Sequence, residues 1–498
     1  MTGAVRAAAV RAATEGLVRA GAGPGRRVAI QVEPSPAGLA VILGAARTGA
    51  TLSLLHPRWS PVEVERVIQT FEPTLVVGDG APSGVGGAEP SRTPVTHFPE
   101  PSRRHVNDVV PTAAVSGDSG DDLRSLLPLD ADPRPTWILW TSGTSTGTPR
   151  GVVLSHDAFL ASARGTARRL DLRPSDRWLC TLSPAHVGGL ALVLRAAFVG
   201  STLLGAGRPD TARVAQDLEA LGVTHASLVP TQLRRLLDHR GDRPAPSTLR
   251  ALLLGGAATP SGLLDRALEL GYPVALTWGM TEAASQAATA EPDRVRRKPG
   301  TVGPPLPGVE VQVAEVDTGS AADEATAAEP ATAADAPGSR AGELRVRGPT
   351  LATGYFDGPH GPPRPITDAE GWYRTGDLGA FDPEGDLRIR GRLADRIISG
   401  GVNVSPGEVE AAILTHPDVS EVAVAGVPHP EWGEEVTAWV VLREGASGLP
   451  LEDLRDFLRP RLSAPKRPRA LHRVETLPRN ANGKVDRARL VEEIRRSS

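Results

Sequence analysis

The chain of 498 residues has one cysteine, three lysines and no large excess of charge of either sign. The lone cysteine, Cys180, excludes an intramolecular disulfide framework and any metal site built from several cysteines. The net charge of −3 provides no overall basic surface for nucleic acid or for an anionic membrane. No apolar run reaches membrane-spanning length, and the N-terminus lacks the apolar core of a secretory signal. These absences predict a cytoplasmic protein.

The chain is longer than one hydrophobic core usually supports, so at least two domains are expected. Helix-like and strand-like periods alternate over the first 80 residues and again from Thr136 to Val313. This alternation predicts an α/β fold with helix-flanked, largely parallel sheets. The pieces "GELRVRG" and "GDLRIRG" then indicate a β-rich subdomain, and the last 105 residues predict a small α+β domain.

Two segments interrupt these patterns. The stretch from about Gly80 to Pro135 is rich in Gly, Pro, Ser and Asp, which predicts a mostly exposed connector. Residues 315–341 are acidic, alanine-rich and without aromatic side chains. That composition predicts a flexible surface insertion.

One short loop concentrates hydroxyl groups and glycines. From Thr141 to Arg150 the sequence reads "TSGTSTGTPR", directly after an apolar run. Such a cluster indicates either an ordinary turn or a phosphate cradle, in which backbone N–H groups, hydroxyls and the Arg150 charge meet an anion. The Walker pattern is absent, because no Gly-Lys-Ser/Thr follows at the required spacing. The phosphate-binding interpretation therefore depends on partners elsewhere in the chain.

Candidate partners follow later in the sequence. Thr281 and Glu282 come directly after the strand-like "PVALTW", at the carboxyl end where α/β folds bind ligands. A threonine hydroxyl can donate to phosphate, and a glutamate carboxylate can bind Mg²⁺. Asp377 in "GWYRTGDLG" is suited to paired ribose hydroxyls. The segments "GRLADRIISGGVNVSPGEVE" and "LPRNANGKVDRARL" lie near the C-terminus.

Together and in this order, these segments resemble the adenylate-forming superfamily of acyl-CoA synthetases, peptide-synthetase adenylation domains and luciferases. The resemblance covers nearly the whole chain. It implies an N-terminal adenylation domain over residues 1–393 and a mobile C-terminal lid domain over 394–498, with a hinge at Ala394. It also implies ATP, Mg²⁺ and coenzyme A as the nucleotide, metal ion and thiol substrate.

The resemblance implies a set of residues that bind ATP. These are Thr141, Ser142, Gly143, Thr144, Gly147 and Arg150 in the loop, Gly255, Gly256, Trp278, Gly279 and Thr281 near the adenine and phosphates, and Asp377 and Arg392 at the ribose. The loop departs from the family pattern, because it has one extra residue before Gly147 and Arg150 in place of the usual lysine. Trp278 replaces the usual tyrosine beside the adenine, and a core aromatic is the alternative interpretation.

The implied catalytic residues are Lys484, Thr281, Glu282 and His186, with Glu282 as the Mg²⁺ ligand. In the family, the acid's carboxylate attacks the α-phosphorus of ATP to give an acyl-adenylate and pyrophosphate. The mobile lysine of the family, which Lys484 matches, bridges the acyl carboxylate and the α-phosphate. A thiol attacks in a second step. Gly400 and Gly401 match the segment that the arm of coenzyme A passes, and the plainer interpretation, a strand-to-helix turn, is compatible with that role. The other lysines, Lys298 and Lys466, are expected to be solvated surface charges.

The segment "SPAHVGGLALVLRAAFVG" indicates which acid is used. His186 is followed by Val-Gly-Gly-Leu, and Arg195 comes nine residues after the histidine, which resembles the o-succinylbenzoate–CoA ligases of menaquinone synthesis. The implied acyl site comprises His186, Gly188, Gly189, Arg195 and Gly256. An arginine in so apolar a segment needs an anionic partner. That partner is either the second carboxylate of the substrate or an internal Asp or Glu.

The sequence therefore predicts an ATP-dependent ligase that joins a small carboxylic acid to coenzyme A, with o-succinylbenzoate as the expected acid. Another aryl- or medium-chain acyl-CoA ligase is one alternative, and an adenylation enzyme that loads a separate carrier protein is a second. A nucleotide-binding relative without activity is a third. No nucleic-acid partner and no integral membrane segment are expected. A homodimer is compatible with the sequence, which does not determine the oligomeric state.

Overall fold

The computed structural model describes residues 3–78, 102–109, 134–141, 149–207, 210–315, 341–400, 402–446, 448–479 and 485–497. In chain order, the described strands β1 to β23 are Gly3–Ala4, Arg27–Gln31, Thr51–Leu54, Leu75–Gly78, Ser102–His105, Thr136–Thr141, Arg150–Ser155, Arg177–Cys180, Thr202–Gly205, His225–Leu228, Ala251–Leu254, Val274–Met280, Ser285–Thr289, Glu310–Ala314, Gly342–Arg347, Gly354–Phe356, Tyr373–Phe381, Leu387–Arg392, Ile397–Ser399, Val402–Val404, Val419–His429, Gly433–Leu442 and Ala470–Arg473.

The described α-helices α1 to α13 are Ala7–Arg19, Pro36–Ala46, Pro61–Phe71, Val106–Val109, His156–Leu170, Val187–Val199, Thr211–Ala220, Pro230–Arg240, Ser261–Glu269, Pro292–Arg297, Pro406–Ile413, Leu451–Leu458 and Arg487–Ser497. Short 3₁₀ helices span Thr281–Ala283, Leu393–Asp395 and Ala464–Lys466. The predicted α/β fold is confirmed.

The first sheet has the strand order β16-β7-β6-β3-β2-β4-β5. Its central strands are parallel, and Val28 on β2 lies opposite Leu52 on β3 and Leu75 on β4. Helix α3 begins with a capping box, in which the Ser60 N–H donates to Glu63 Oε2 at 2.7 Å and the Glu63 N–H donates to Ser60 Oγ at 3.3 Å. The parallel sheet that the first 80 residues predict is therefore present.

Part of the predicted connector belongs to this sheet. Strand β5 pairs in parallel with β4, and Val106 and Val109 of α4 are buried at 2% exposure each. The prediction of an exposed connector is therefore wrong at Val106 and Val109, because these valines complete the core beneath α1. Residues 80–101 and 110–133 of the connector lie outside the described residues.

The second sheet has the order β1-β9-β8-β10-β11-β12-β13. Strands β8 to β12 pair in parallel, whereas β12 and β13 form an antiparallel hairpin with an irregularity between Trp278 and Gly279. This arrangement brings the ends of β11 and β12 to one edge of the sheet. Gly255, Thr281 and Glu282 follow these ends, as expected for a ligand site in an α/β fold.

The third sheet has the order β14-β15-β17-β18. Asp377 on β17 lies opposite Arg392 on β18. The predicted insertion joins β14 to β15, which pair with Ala314 opposite Glu343. Residues 316–340 of that insertion lie outside the described residues, so its flexibility stays a prediction.

The fourth sheet has the path β20-β19-β22-β21, with β23 paired to β22. Its buried apolar residues, from Ile397 to Leu462, form a core cluster of their own with α11 and α12. A second small cluster contains Trp439 and Leu490, which joins α13 to the sheet. A separate core after Leu393 supports the division at residues 393 and 394, which stays a prediction.

The contact between α1 and α4 can be tested at Gly16. A Cβ on Gly16 would lie 2.7 Å from the Val109 carbonyl oxygen and 2.8 Å from its Cα. Gly16→Ala should therefore lower the free energy of unfolding by about 1–2 kcal/mol, even though alanine favours helix. The measurement is urea unfolding. Gly23→Ala is the matched control, because a Cβ there meets nothing within 4 Å. Equal stability of the two variants would contradict the packing of α4 against α1.

Candidate active site

Asp377 is held by two donors that come from different strands. Arg392 Nε lies 2.9 Å from Asp377 Oδ1, and Trp278 Nε1 donates to Asp377 Oδ2 at 2.8 Å. The Asp377 side chain is 7% exposed and that of Arg392 is 55% exposed. Each carboxylate oxygen is thus oriented by one bond and keeps further acceptor capacity for a ligand. The structure brings together these three predicted site residues.

Trp278 is also a core residue. It is 6% exposed and packs in the cluster beneath the second sheet. Its indole therefore fills the core and fixes the Asp377 carboxylate at the same time. Its predicted position beside an adenine stays a prediction.

Glu282 lies in the 3₁₀ turn directly after β12, where Tyr355 donates its hydroxyl to Glu282 Oε1 at 3.1 Å. The Arg150 guanidinium stacks on the Tyr355 ring at 4.7 Å, and that of Arg364 lies 5.3 Å from the same ring. Burial raises the pKa of the Tyr355 phenol, so it remains a donor at neutral pH. Tyr355 thus links the loop arginine to the predicted Mg²⁺ ligand, and no sequence motif had indicated it.

The backbone around Glu282 is tightly constrained. Ala284 and Ser285 have φ angles of 49° and 98°, which non-glycine residues rarely adopt. A Cβ on Gly279 would lie 1.7 Å from the Ser285 carbonyl oxygen, and one on Gly255 would lie 2.3 Å from Thr277 Oγ1. Gly279 and Gly255 therefore allow β12 to approach both of its neighbours closely. Gly256 follows with a φ of 80°, which also favours glycine.

The predicted phosphate loop is framed by β6 and β7. Thr141 pairs with Arg150 across these strands, and Thr141 Oγ1 donates to the Arg150 carbonyl oxygen at 3.3 Å. The strand pair therefore holds the two ends of the loop together, with Arg150 against the Tyr355 ring. Ser142, Gly143, Thr144 and Gly147 lie outside the described residues, and their contacts stay predictions.

His186 lies at the N-terminal end of α6, where the chain turns sharply. A Cβ on Gly189 would lie 2.3 Å from the Ser183 carbonyl oxygen, while one on Gly188 would meet only Leu182 at 3.4 Å. The ring of His56, which the sequence analysis missed, lies 4.8 Å from that of His186. Burial lowers the pKa of His56 to about 4, so its imidazole is neutral at pH 7. The structure thus places a second histidine at the predicted acyl site.

Arg195 is buried within α6 at 2% exposure. Its Nη2 donates to Gln286 Oε1 at 2.7 Å, and its guanidinium lies 5.5 Å from the Trp178 ring centre. Within the described part of the chain, no Asp or Glu side chain forms an ion pair with Arg195. Burial lowers its pKa to about 9, which still leaves it charged at pH 7. The alternative of an internal salt bridge is therefore wrong for the described residues.

Lys298 and Lys466, the two lysines among the described residues, are not free surface charges. Lys298 Nζ lies 2.7 Å from Glu384, 2.9 Å from Asp382 and 3.2 Å from Asp386. Lys466 Nζ lies 2.8 Å from Glu408 and its side chain is 18% exposed. The prediction of solvated charges is wrong, because each lysine joins elements that are distant in sequence.

The C-terminal motifs are described only in part. Gly400 has a φ of 59°, and its N–H donates to the Trp432 carbonyl oxygen at 2.9 Å. It lies in a turn between β19 and β20, so the strand-to-helix alternative is replaced by a hairpin. Gly401 and Lys484 lie outside the described residues, and their roles stay predictions.

Comparison with known proteins identifies the family. The model of the AMP-binding enzyme family matches residues 2–356, and that of the AMP-binding enzyme C-terminal domain matches residues 408–484. The chain belongs to the AMP-binding enzyme family. The Glu282 turn, Tyr355 and Arg150 all lie within the longer of the two matches.

Among curated relatives of this AMP-binding enzyme, the 2-succinylbenzoate–CoA ligase of Bacillus cytotoxicus is 33% identical over 466 residues, which are 94% of this chain and 88% of the relative. The 2-succinylbenzoate–CoA ligase of Geobacillus kaustophilus is 38% identical over 354 residues, 71% of this chain and 68% of the relative. The similarity thus extends over most of each protein.

Solved structures of similar proteins have the same fold. The o-succinylbenzoate CoA synthetase of Bacillus subtilis, in complex with the acyl-adenylate intermediate OSB-AMP, superposes with a TM-score of 0.76 at 27% identity, covering 97% of this chain and 91% of that one. ATP-bound MatB from Rhodopseudomonas palustris gives a TM-score of 0.78 at 28% identity, covering 98% and 92%. Among the described residues of this AMP-binding enzyme, no helix is long and apolar enough to cross a membrane.

The buried His56 makes stability depend on pH. Because its pKa is lowered from 6.5 to about 4, the unfolded chain binds a proton that the folded chain excludes as the pH falls through this range. Stability should therefore decrease below pH 6.5, by up to about 1.4 kcal/mol per pH unit from this group. Urea unfolding of the wild type and His56→Gln at pH 7, 6 and 5 measures the effect. The variant should show the shallower decrease, and parallel curves would contradict a buried neutral His56.

Proposed function

We propose that this AMP-binding enzyme is an ATP-dependent acid–thiol ligase that converts o-succinylbenzoate to o-succinylbenzoyl-CoA in menaquinone biosynthesis. The reaction passes through an acyl-adenylate, with release of pyrophosphate, and ends with attack of the coenzyme A thiol. The observation that carries the choice of acid is the buried charge of Arg195, which has an amide and no carboxylate as its described side-chain partner. The 2-succinylbenzoate–CoA ligases among its relatives support the same acid.

A second carboxylate on the substrate would meet this charge. Arg195 has five N–H donors, and the described structure uses one of them, at Gln286. Charge-assisted hydrogen bonds in a buried site are worth about 1.5–3 kcal/mol each. An acid with one carboxylate, which is consumed in adenylate formation, leaves Arg195 without a counter-charge. The di-acid is therefore preferred.

The nucleotide half of the site uses the oriented carboxylate of Asp377. Trp278 and Arg392 fix both oxygens of this carboxylate, so it is preorganised to accept hydrogen bonds from the ribose hydroxyls. Trp278 also presents a buried aromatic ring at the same place, which suits an adenine.

The phosphates would lie between the loop of residues 141–150 and the Glu282 turn. Arg150 supplies positive charge there and is steadied by the Tyr355 ring at 4.7 Å. Glu282 offers the carboxylate oxygens that Mg²⁺ prefers, and Tyr355 orients one of them at 3.1 Å, so these residues fit the ion. Mg²⁺ held by Glu282 would neutralise charge on the phosphates.

The C-terminal lid takes part in both steps. Lys484 acts in adenylate formation, and the Gly400–Gly401 turn faces the adenylate when the lid rotates about Ala394 for thioester formation. A hairpin turn with a positive φ at Gly400 suits the close passage of a pantetheine arm. Since ATP and coenzyme A are its co-substrates, we also propose that the enzyme is cytoplasmic.

The choice of acid is tested by pyrophosphate release with ATP, Mg²⁺, coenzyme A and one of four acids: o-succinylbenzoate, benzoate, octanoate or acetate. The wild type should prefer o-succinylbenzoate. Arg195→Ala should lower kcat/KM for this acid by about 10- to 100-fold, the value of one charge-assisted hydrogen bond, and leave the KM for ATP unchanged.

Arg177→Ala is the matched control, because the side chain of this arginine on β8 donates to the Leu221 carbonyl oxygen and not to Gln286. A wild type that prefers benzoate or octanoate would keep the ligase chemistry and remove the assignment to menaquinone synthesis. An Arg195→Ala variant with unchanged preference would remove Arg195 from the acyl site.

A further inference from the structure

Gln286 is the described side chain that contacts the Arg195 guanidinium. It is 4% exposed and lies on β13, opposite Gly279 of β12. We propose that Gln286 determines the preference for a di-acid, by positioning Arg195 and by donating its own amide N–H to the second carboxylate of the substrate. This inference rests on the proposed function and adds a specificity-determining residue to that site.

The orientation of the Gln286 amide follows from its neighbours. Arg195 Nη2 and Thr166 Oγ1 both lie 2.7 Å from the same atom, Gln286 Oε1. An arginine can only donate hydrogen bonds, so the atom that faces it must be the amide oxygen. Thr166, which is fully buried on α5, lies against the same oxygen and thereby holds the amide in place. The amide nitrogen is consequently turned away from both residues.

This orientation leaves buried donors without acceptors. Gln286 Nε2 and Arg195 Nε are both buried and have no hydrogen-bond partner within the described residues. Buried polar groups are seldom left unpaired, because each loses its hydrogen bonds to water. The two side chains are joined by a hydrogen bond, so these two donors belong to neighbouring groups. Such a pair of donors is complementary to the two oxygens of one carboxylate.

The amide of Gln286 is neutral, so it accepts a hydrogen bond from Arg195 without cancelling the charge of the guanidinium. A glutamate in place of Gln286 would accept the same bond from Arg195 but would neutralise its charge inside the protein. Glutamine fixes the guanidinium and leaves the positive charge for the substrate. His225, which stacks on Trp178 at 4.7 Å, adds no second charge, because burial lowers its pKa to about 4.

Gln286 also belongs to the same hairpin as the nucleotide residues. It follows the strained pair Ala284 and Ser285, whereas Trp278 lies on the preceding strand and Glu282 lies in the turn between the two strands. One short segment therefore sets the distance between the group that recognises the acid and the groups that orient ATP. A shift of Gln286 would misplace the acid relative to the α-phosphorus.

The test compares two acids that differ only in the second carboxylate: o-succinylbenzoate and 4-oxo-4-phenylbutanoate. The measured quantity is the ratio of their kcat/KM values, from pyrophosphate release at saturating ATP and coenzyme A. Gln286→Glu should lower this ratio by about 10- to 100-fold and leave the KM for ATP unchanged. Gln286→Met should lower the ratio by about tenfold, because Arg195 keeps its charge but loses its positioning, and the second carboxylate loses the amide N–H donor.

Gln216→Glu is the matched control, since the same chemical change is made on the exposed face of α7 and should leave the ratio unchanged. Thr166→Val provides a test that leaves Gln286 intact, and it should shift the ratio in the same direction by a smaller factor. A purely structural role would alter the KM for ATP and both acids alike.

The outcomes separate the two claims. A wild type that does not prefer o-succinylbenzoate over 4-oxo-4-phenylbutanoate would contradict the proposed function, and this inference with it. A wild type with that preference, together with Gln286→Glu and Gln286→Met variants that retain it, would contradict the inference alone.

Discussion

The guanidinium of Arg195 lies in an apolar helix at 2% exposure, and an amide rather than a carboxylate accepts its hydrogen bond. Removing such a charge from water costs several kcal/mol unless a counter-charge is supplied. A structural arginine would be expected to have that counter-charge inside the protein. Its absence among the described partners of Arg195 makes the residue costly to the free enzyme and is the basis of our proposal that the substrate supplies the anion.

The rest of the site is arranged around one hairpin, residues 274–289. Trp278 on its first strand orients Asp377, Glu282 in its turn receives the Tyr355 hydroxyl, and Gln286 on its second strand holds Arg195. The residues that we propose for nucleotide and for acid recognition are therefore held by one backbone segment. Its positive φ angles at Ala284 and Ser285 are tolerated because close packing, with Gly279 against the Ser285 carbonyl, determines the turn.

Much of this arrangement could be predicted from local sequence. The alternation of helix and strand indicated the parallel sheets, and the strand end at "TWGMTE" indicated a ligand site at Thr281 and Glu282. Asp377 and Arg392 were named from a motif, and the structure pairs them across two strands. These features depend on residues that are close in sequence or that follow a strand.

The residues that were missed depend on long-range packing. Tyr355 reaches Glu282 from 73 positions away, and Gln286 reaches Arg195 from 91 positions away, so neither contact has a local signal. Lys298 and Lys466 looked like surface charges for the same reason, because their acidic partners lie 58 or more residues away. His56 and the valines of α4 likewise have no local signal, because their contacts join segments that are distant in sequence.

Whether the buried charge of Arg195 serves the substrate is tested by the stability of Arg195→Met with and without o-succinylbenzoate. Methionine has a similar length and no charge, so it removes the uncompensated cation with little change in packing. We expect the variant without ligand to be at least as stable to urea as the wild type, and only the wild type to gain stability from the acid. A variant destabilised by about 3 kcal/mol or more, still stabilised by the acid, would show that Arg195 serves the fold and not the substrate.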